Sequence, residues 1–218
     1  QPLGRSHPKY IAAKKWFHGG SEGLEAQDID PLGGSHEGLF GQGFYMTDEP
    51  PIARGYAKGA RKKARRRGLR DAGSATYEAE LSVDRVLDLE KPITDDVAEI
   101  FRNRAKFVSD DDLGTVSQEV EKALAKEGAT GESVFQAFKS GISDASNDLM
   151  ISTNEYVVDF QELAIALREA GYDALTHTGG LRTGSDPHQV MIMLDPNDAF
   201  SLVGRGDQIR HFKPTAHE

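Results

Sequence analysis

Five consecutive apolar residues, Val190-Met-Ile-Met-Leu194, follow Gln189 and stop at Asp195-Pro196. A run without polar alternation, closed by a turn dipeptide, fits a central strand of a sheet. Upstream, Asp159 and Glu162 form a capping box before Leu163-Ala-Ile-Ala-Leu167, and Gly171 closes that helix. Tyr172-Asp-Ala-Leu-Thr176 then reads as another strand, joined to Gln189–Leu194 by a Gly-rich loop at 178–188.

The N-terminal half has the same alternation of elements. Lys14-Lys-Trp-Phe-His18 reads as a short strand ending at Gly19-Gly20, and 21–43 as a long polar loop of the kind often used for binding. Gly43-Phe-Tyr-Met-Thr-Asp48 is a second short strand. A helix is expected from Pro50-Pro51 to Gly73, with Ala53, Ala57, Ala60 and Ala64 as a small-residue stripe fit for tight packing on a sheet. Thr76 to Val83 alternates with strand period. Between Pro92 and Gly141 the period becomes helical, with stripes Val97/Ile100/Phe101, Val116/Val120/Leu124 and Val134/Phe135/Phe138. These patterns predict an α+β fold. Residues 1–13 read as a tag or linker, and 14–218 as one domain with a helical insertion at about 92–158.

Composition narrows the function. Charged residues make up 28% of the chain, no apolar run reaches the roughly 20 residues of a membrane span, and the expectation is a soluble monomer. The absence of Cys excludes disulfides, thiolate metal sites and a Cys nucleophile. The net charge of −9 is unevenly placed, for eight of the 26 Lys and Arg lie in 58–70. The remaining 18 face 35 acids, so the rest of the chain stands near −17. Such a run reads either as a solvated helix face balancing an acidic body or as a contact for nucleic acid.

Common cofactor motifs are missing. Gly41-Gln-Gly43 lacks the third Gly of a dinucleotide fingerprint, and no Walker loop, nucleophile elbow or His pair at metal-ligand spacing occurs. What remains is Phe17-His18-Gly19, then Gly41-Gln-Gly-Phe-Tyr45-Met-Thr-Asp, then Ala53-Arg-Gly-Tyr56-Ala, and finally Gly171-Tyr-Asp-Ala-Leu with His188-Gln-Val-Met-Ile-Met-Leu-Asp-Pro. In this order the motifs resemble the ADP-ribosyltransferase fold. The resemblance is to the branch with a His, a Tyr and a third polar residue, which includes diphtheria toxin and the poly-ADP-ribose polymerases. Nearest in character are the ADP-ribosyltransferase domains of phage polyvalent proteins and bacterial effectors. It covers 14–94 and 161–204 and leaves the helical middle unmatched.

The resemblance implies a split, mostly antiparallel sheet core with outer helices, and NAD as substrate with no metal. Tyr45 and Tyr56 would sandwich the nicotinamide ring; either alone reads better as a core aromatic, and it is the two together with the flanking glycines that read as a pocket. Gly19 would let the backbone approach the nicotinamide amide, and His18 would hydrogen-bond a ribose hydroxyl. Gly43, Phe44 and Ala53 complete the implied NAD-binding set. Ala53 departs from the polymerases, which carry a hydroxyl there. Gln189 takes the third position, usually Glu, keeping a hydrogen bond but not the negative charge that would support a developing cation. Glu155, in Asn154-Glu-Tyr-Val-Val158, is the alternative for that role. Arg182, in the preceding loop, is either an acceptor-binding residue or an exposed loop Arg.

The expected activity is thus mono-ADP-ribosyl transfer from NAD to a protein or nucleic-acid acceptor, catalysed by His18, Tyr45 and Gln189. The setting would be a toxin, a secreted effector or a bacteriophage protein delivered into a host cell. Two other readings remain open at this point: an NAD glycohydrolase, and a non-catalytic nucleic-acid-binding domain using 58–70.

Overall fold

A computed structural model describes residues 3–21, 40, 43–66, 68, 73–109, 114–149, 163–180, 186–194 and 200–205. In chain order the elements are α1 (Pro8–Ala12), β1 (Trp16–Ser21), β2 (Phe44–Thr47), α2 (Pro50–Arg66), β3 (Ser74–Leu81), β4 (Val86–Asp88), α3 (Asp95–Ser109), α4 (Thr115–Leu124), α5 (Gly131–Leu149), α6 (163–169), β5 (Ala174–Gly179), β6 (His188–Met193) and β7 (Phe200–Arg205). The fold is α+β, and the strands form a seven-stranded sheet in the order β4-β5-β6-β2-β1-β3-β7.

Every neighbouring pair is antiparallel except β4 and β5. Parallel neighbours need a long crossover, and the helical middle of the chain lies within that connection. Helices α3 to α6 share one apolar cluster with the sheet. Phe101, Phe138 and Leu167 are buried together with Leu175, Val190 and Ile192, so the helices of the expected insertion form a layer on one sheet face. The other face buries Trp16, Phe44, Met46, Tyr77, Met191 and Met193, with Ile11 from α1 packed on them. Strand alternation explains the division: Val190 and Ile192 point one way, Met191 and Met193 the other. Both faces of β6 are therefore covered, as its apolar run requires.

The sheet is nearly parted in its middle. β1 meets β3 at six registered pairs and β2 meets β6 at four, but β1 and β2 meet at one, Phe17↔Thr47. A split pair of sheets was expected; one continuous seven-stranded, mostly antiparallel sheet is found, with a single registered pair between β1 and β2.

Other boundaries differ from expectation. Helix α2 stops at Arg66 rather than reaching Gly73, and Gly68 with φ +90° follows it, a backbone setting suited to Gly after a helix. β1 begins at Trp16 and runs through the glycine pair. Residues 3–13, read as a tag or linker, carry α1 with Ile11 buried, and the Trp16 indole N–H donates to the Ile11 carbonyl at 3.1 Å. The capping box of Asp159 and Glu162 lies outside the described residues. Among the described residues no helix is long and apolar enough to cross a membrane.

Candidate active site at the seam between β1 and β2

His18 sits beside the single rung. Its ring stacks on Phe44 with centroids 4.1 Å apart and lies 6.3 Å from the Tyr77 ring. Its Nδ1 is 2.8 Å from the backbone carbonyl oxygen of Tyr45 on β2. A carbonyl only accepts, so Nδ1 carries the proton. Burial lowers the His18 pKa more than the Tyr45 carbonyl raises it, so the ring is neutral at neutral pH. Nε2 is then left with a lone pair and has no partner among the described residues. An imidazole thus takes a carbonyl on the β1-facing side of β2, next to where the two strands part.

The glycine pair is explained by two different neighbours. A Cβ on Gly19 would lie 1.8 Å from the Ala53 carbonyl oxygen and 2.7 Å from the Ala57 nitrogen, because α2 rests directly on β1. The buried Ala53 and Ala57 are the small residues that allow this contact. A Cβ on Gly20 would lie 2.8 Å from His18 Nε2. Gly43, at φ +155°, opens β2, and a Cβ there would meet Ile192 Cγ2 at 2.3 Å.

The two tyrosines differ. The Tyr45 ring packs against the helical cluster, and its hydroxyl accepts from the Phe40 N–H at 3.1 Å. Burial pushes its phenol pKa well up, with a smaller push from the neighbouring Tyr56. Tyr56, on α2, is 64% exposed, an unusual setting for an aromatic. The two phenols are within electrostatic reach, but only Tyr56 offers an open ring face.

Gln189 is buried on the opposite sheet face from Tyr45, the face that also carries His18. Its Nε2 donates to Thr176 Oγ1 and to the Arg5 carbonyl, each at 3.0 Å. Its backbone N–H donates to Asp48 Oδ1 at 2.8 Å, and its carbonyl accepts from the Asp48 N–H at 3.2 Å. Lys14 bridges to Asp48 Oδ2 at 2.8 Å and reaches Gln189 Oε1 at 3.5 Å. Arg5 is held over this site by Asp88, by Glu90 at 2.8 Å and by Thr178 at 2.8 Å. Burial raises the Glu90 pKa, but the Arg5 and Thr178 hydrogen bonds outweigh it and hold the carboxyl below its usual range.

The sequence-selected residues therefore divide between the two faces of the sheet on either side of the seam, and are not brought onto one face. His18 and Gln189 share the α1 face; Tyr45, Tyr56, Gly19 and Ala53 lie on the α2 side. Arg182 and Glu155 lie outside the described residues. Arg5, Lys14, Asp48 and Thr176 were not foreseen, since each acts through a partner far away in sequence. No protein-family model, no curated protein and no solved structure matches this chain.

Proposed function

We propose that the chain is a mono-ADP-ribosyltransferase of the His-Tyr-third-residue branch, using NAD with nicotinamide lodged at the β1–β2 seam. The observation that carries this reading is the tautomer of His18. With Nδ1–H spent on the Tyr45 carbonyl, Nε2 is a pure acceptor at the seam, matched to a donating ribose hydroxyl. Tyr56 supplies an exposed aromatic face for a flat heterocycle on the α2 side, so an NAD that also reaches His18 has to pass through the line where β1 and β2 part.

In this reading the bond between ribose C1′ and the nicotinamide nitrogen breaks, its electron pair leaves with nicotinamide, and an acceptor nucleophile takes C1′. His18 orients the ribose, while the Gln189 carboxamide reaches a ribose hydroxyl once it releases the Arg5 carbonyl. Neither supplies negative charge to the cationic transition state, which fits one transfer per acceptor rather than chain growth.

The test is nicotinamide release from NAD, followed chromatographically with and without cell lysate, with mass spectrometry of any modified macromolecule. Release that disappears in a folded His18→Ala variant, together with a modified acceptor, supports the proposal. Release without any modified acceptor assigns a glycohydrolase instead. No release under either condition overturns both.

A further inference from the structure

Helix α2 presents Lys58, Arg61, Lys62, Arg65 and Arg66 at positions i, i+3, i+4, i+7 and i+8, a single helical stripe. With Ser74 at the start of β3 they line a groove of about 480 Å³. Among the described residues none of these five cations is in an ion pair. Arg67 and Arg70 lie outside the described residues.

We infer that this groove binds the phosphate backbone of a nucleic-acid strand. The stripe spans eight residue steps, about 12 Å at 1.5 Å per residue, enough to meet several successive phosphates. Among the described residues its lining is five cations and a hydroxyl. A peptide partner would need an anchoring pocket, and a lipid surface would need apolar side chains to enter it. A sugar-phosphate backbone needs neither. The acidic remainder of the chain repels a polyanion elsewhere and so directs it to this helix.

The groove stands apart from the proposed NAD site. Ser74 places it on the β3 side of α2, whereas Tyr56 neighbours Tyr45 of β2. At 100° per residue, Lys58, Arg61, Lys62 and Arg65 lie about 120° to 180° around the helix from Tyr56, and Arg66 about 80°. Binding here requires no NAD chemistry, so the two readings fail independently.

The experiment is fluorescence anisotropy of a labelled 20-nucleotide single-stranded DNA against the full chain, at salt from 50 to 200 mM. Five phosphate contacts at about −0.7 each predict a log–log slope near −3.5, or roughly a hundredfold weakening over that range. Arg61→Gln/Arg65→Gln/Arg66→Gln leaves two contacts, a slope near −1.4 and about sevenfold weakening. Nicotinamide release without acceptor should be unchanged in that variant. An unaltered slope in the variant, or no salt-dependent binding by the wild type, overturns the inference. So does tighter binding to phosphatidylserine vesicles or to a glutamate-rich peptide of equal length.

Discussion

Replacing Gln189 with Glu tests whether the amide is required by its surroundings. Both partners of Nε2 are acceptors: the Arg5 carbonyl has no hydrogen, and the Thr176 hydroxyl already donates to the Val190 carbonyl at 2.9 Å. A carboxylate would put oxygen against two acceptors at 3.0 Å. Losing two hydrogen bonds and leaving buried acceptors unpaired costs about 2–4 kcal/mol. Lys14 offsets part of this, although its ammonium is closer to Asp48 than to Gln189. For a chain of this size each kcal/mol moves Tm by about 2–4 °C, so Gln189→Glu should melt about 4–16 °C below wild type at pH 8.

The pH dependence supplies the decisive sign. The introduced carboxyl is stabilised when protonated, because only then can it donate, so its folded pKa lies above the unfolded value of about 4.3. The penalty is therefore full above the folded pKa and shrinks as pH falls towards the unfolded one. Differential scanning calorimetry of both proteins at pH 8 and pH 5 should show the Tm gap closing at pH 5. A gap equal at the two pH values, or no gap, would refute the argument that Gln189 is held as a donor. The same variant read in the nicotinamide assay reports whether a negative charge at this position speeds cleavage.

Gly19→Ala should destabilise by about 1–3 kcal/mol or more, since the new methyl meets the α2 backbone and the helix must lift; urea unfolding checks this. Tyr56→Ala should leave the unfolding free energy within about 0.5 kcal/mol of wild type while weakening NAD binding several-fold by titration calorimetry. Tyr45→Ala, by contrast, should cost about 3 kcal/mol in stability, because that ring is packed in the helical cluster. Acid should weaken the fold through His177, whose pKa burial lowers from 6.5 to about 4. The unfolded state binds the proton first, so stability falls by about 3 kcal/mol as pH drops from 6.5 to 4 and then levels off, and His177→Gln should flatten that slope in pH-dependent urea unfolding.

The residues differ in how far the sequence revealed their place. Val190–Leu194 was legible as a covered strand because burial on both faces removes alternation, and the stripes of α3 to α5 because each presents one apolar side. Ala53 and Ala57 were legible as small residues for tight packing on a sheet, and they rest on β1; Gly19 was read only as room for a ligand, whereas its bare backbone also seats that helix. The N-terminal segment was illegible. Arg5 finds partners at Asp88, Thr178 and Gln189, and no local pattern in Gly4-Arg-Ser announces contacts so distant. Short β4 and the position of β7 at the sheet edge are likewise fixed by tertiary pairing, not by three- or six-residue propensities.

The single rung at Phe17↔Thr47 makes the sheet mechanically uneven. Each half is a laced ribbon, but across the middle the lacing is one pair and an imidazole, backed on one face by Trp16, Phe44, Met46 and Met191. Bending within a half breaks several ladder bonds together, whereas opening at the seam breaks one pair and is resisted by the apolar cluster beneath it. Whatever lies across that line gains contacts with both halves and stiffens the softest direction of the molecule. Its grip should then be readable as slowed amide exchange on β1 and β2, strands far apart in sequence that would slow together.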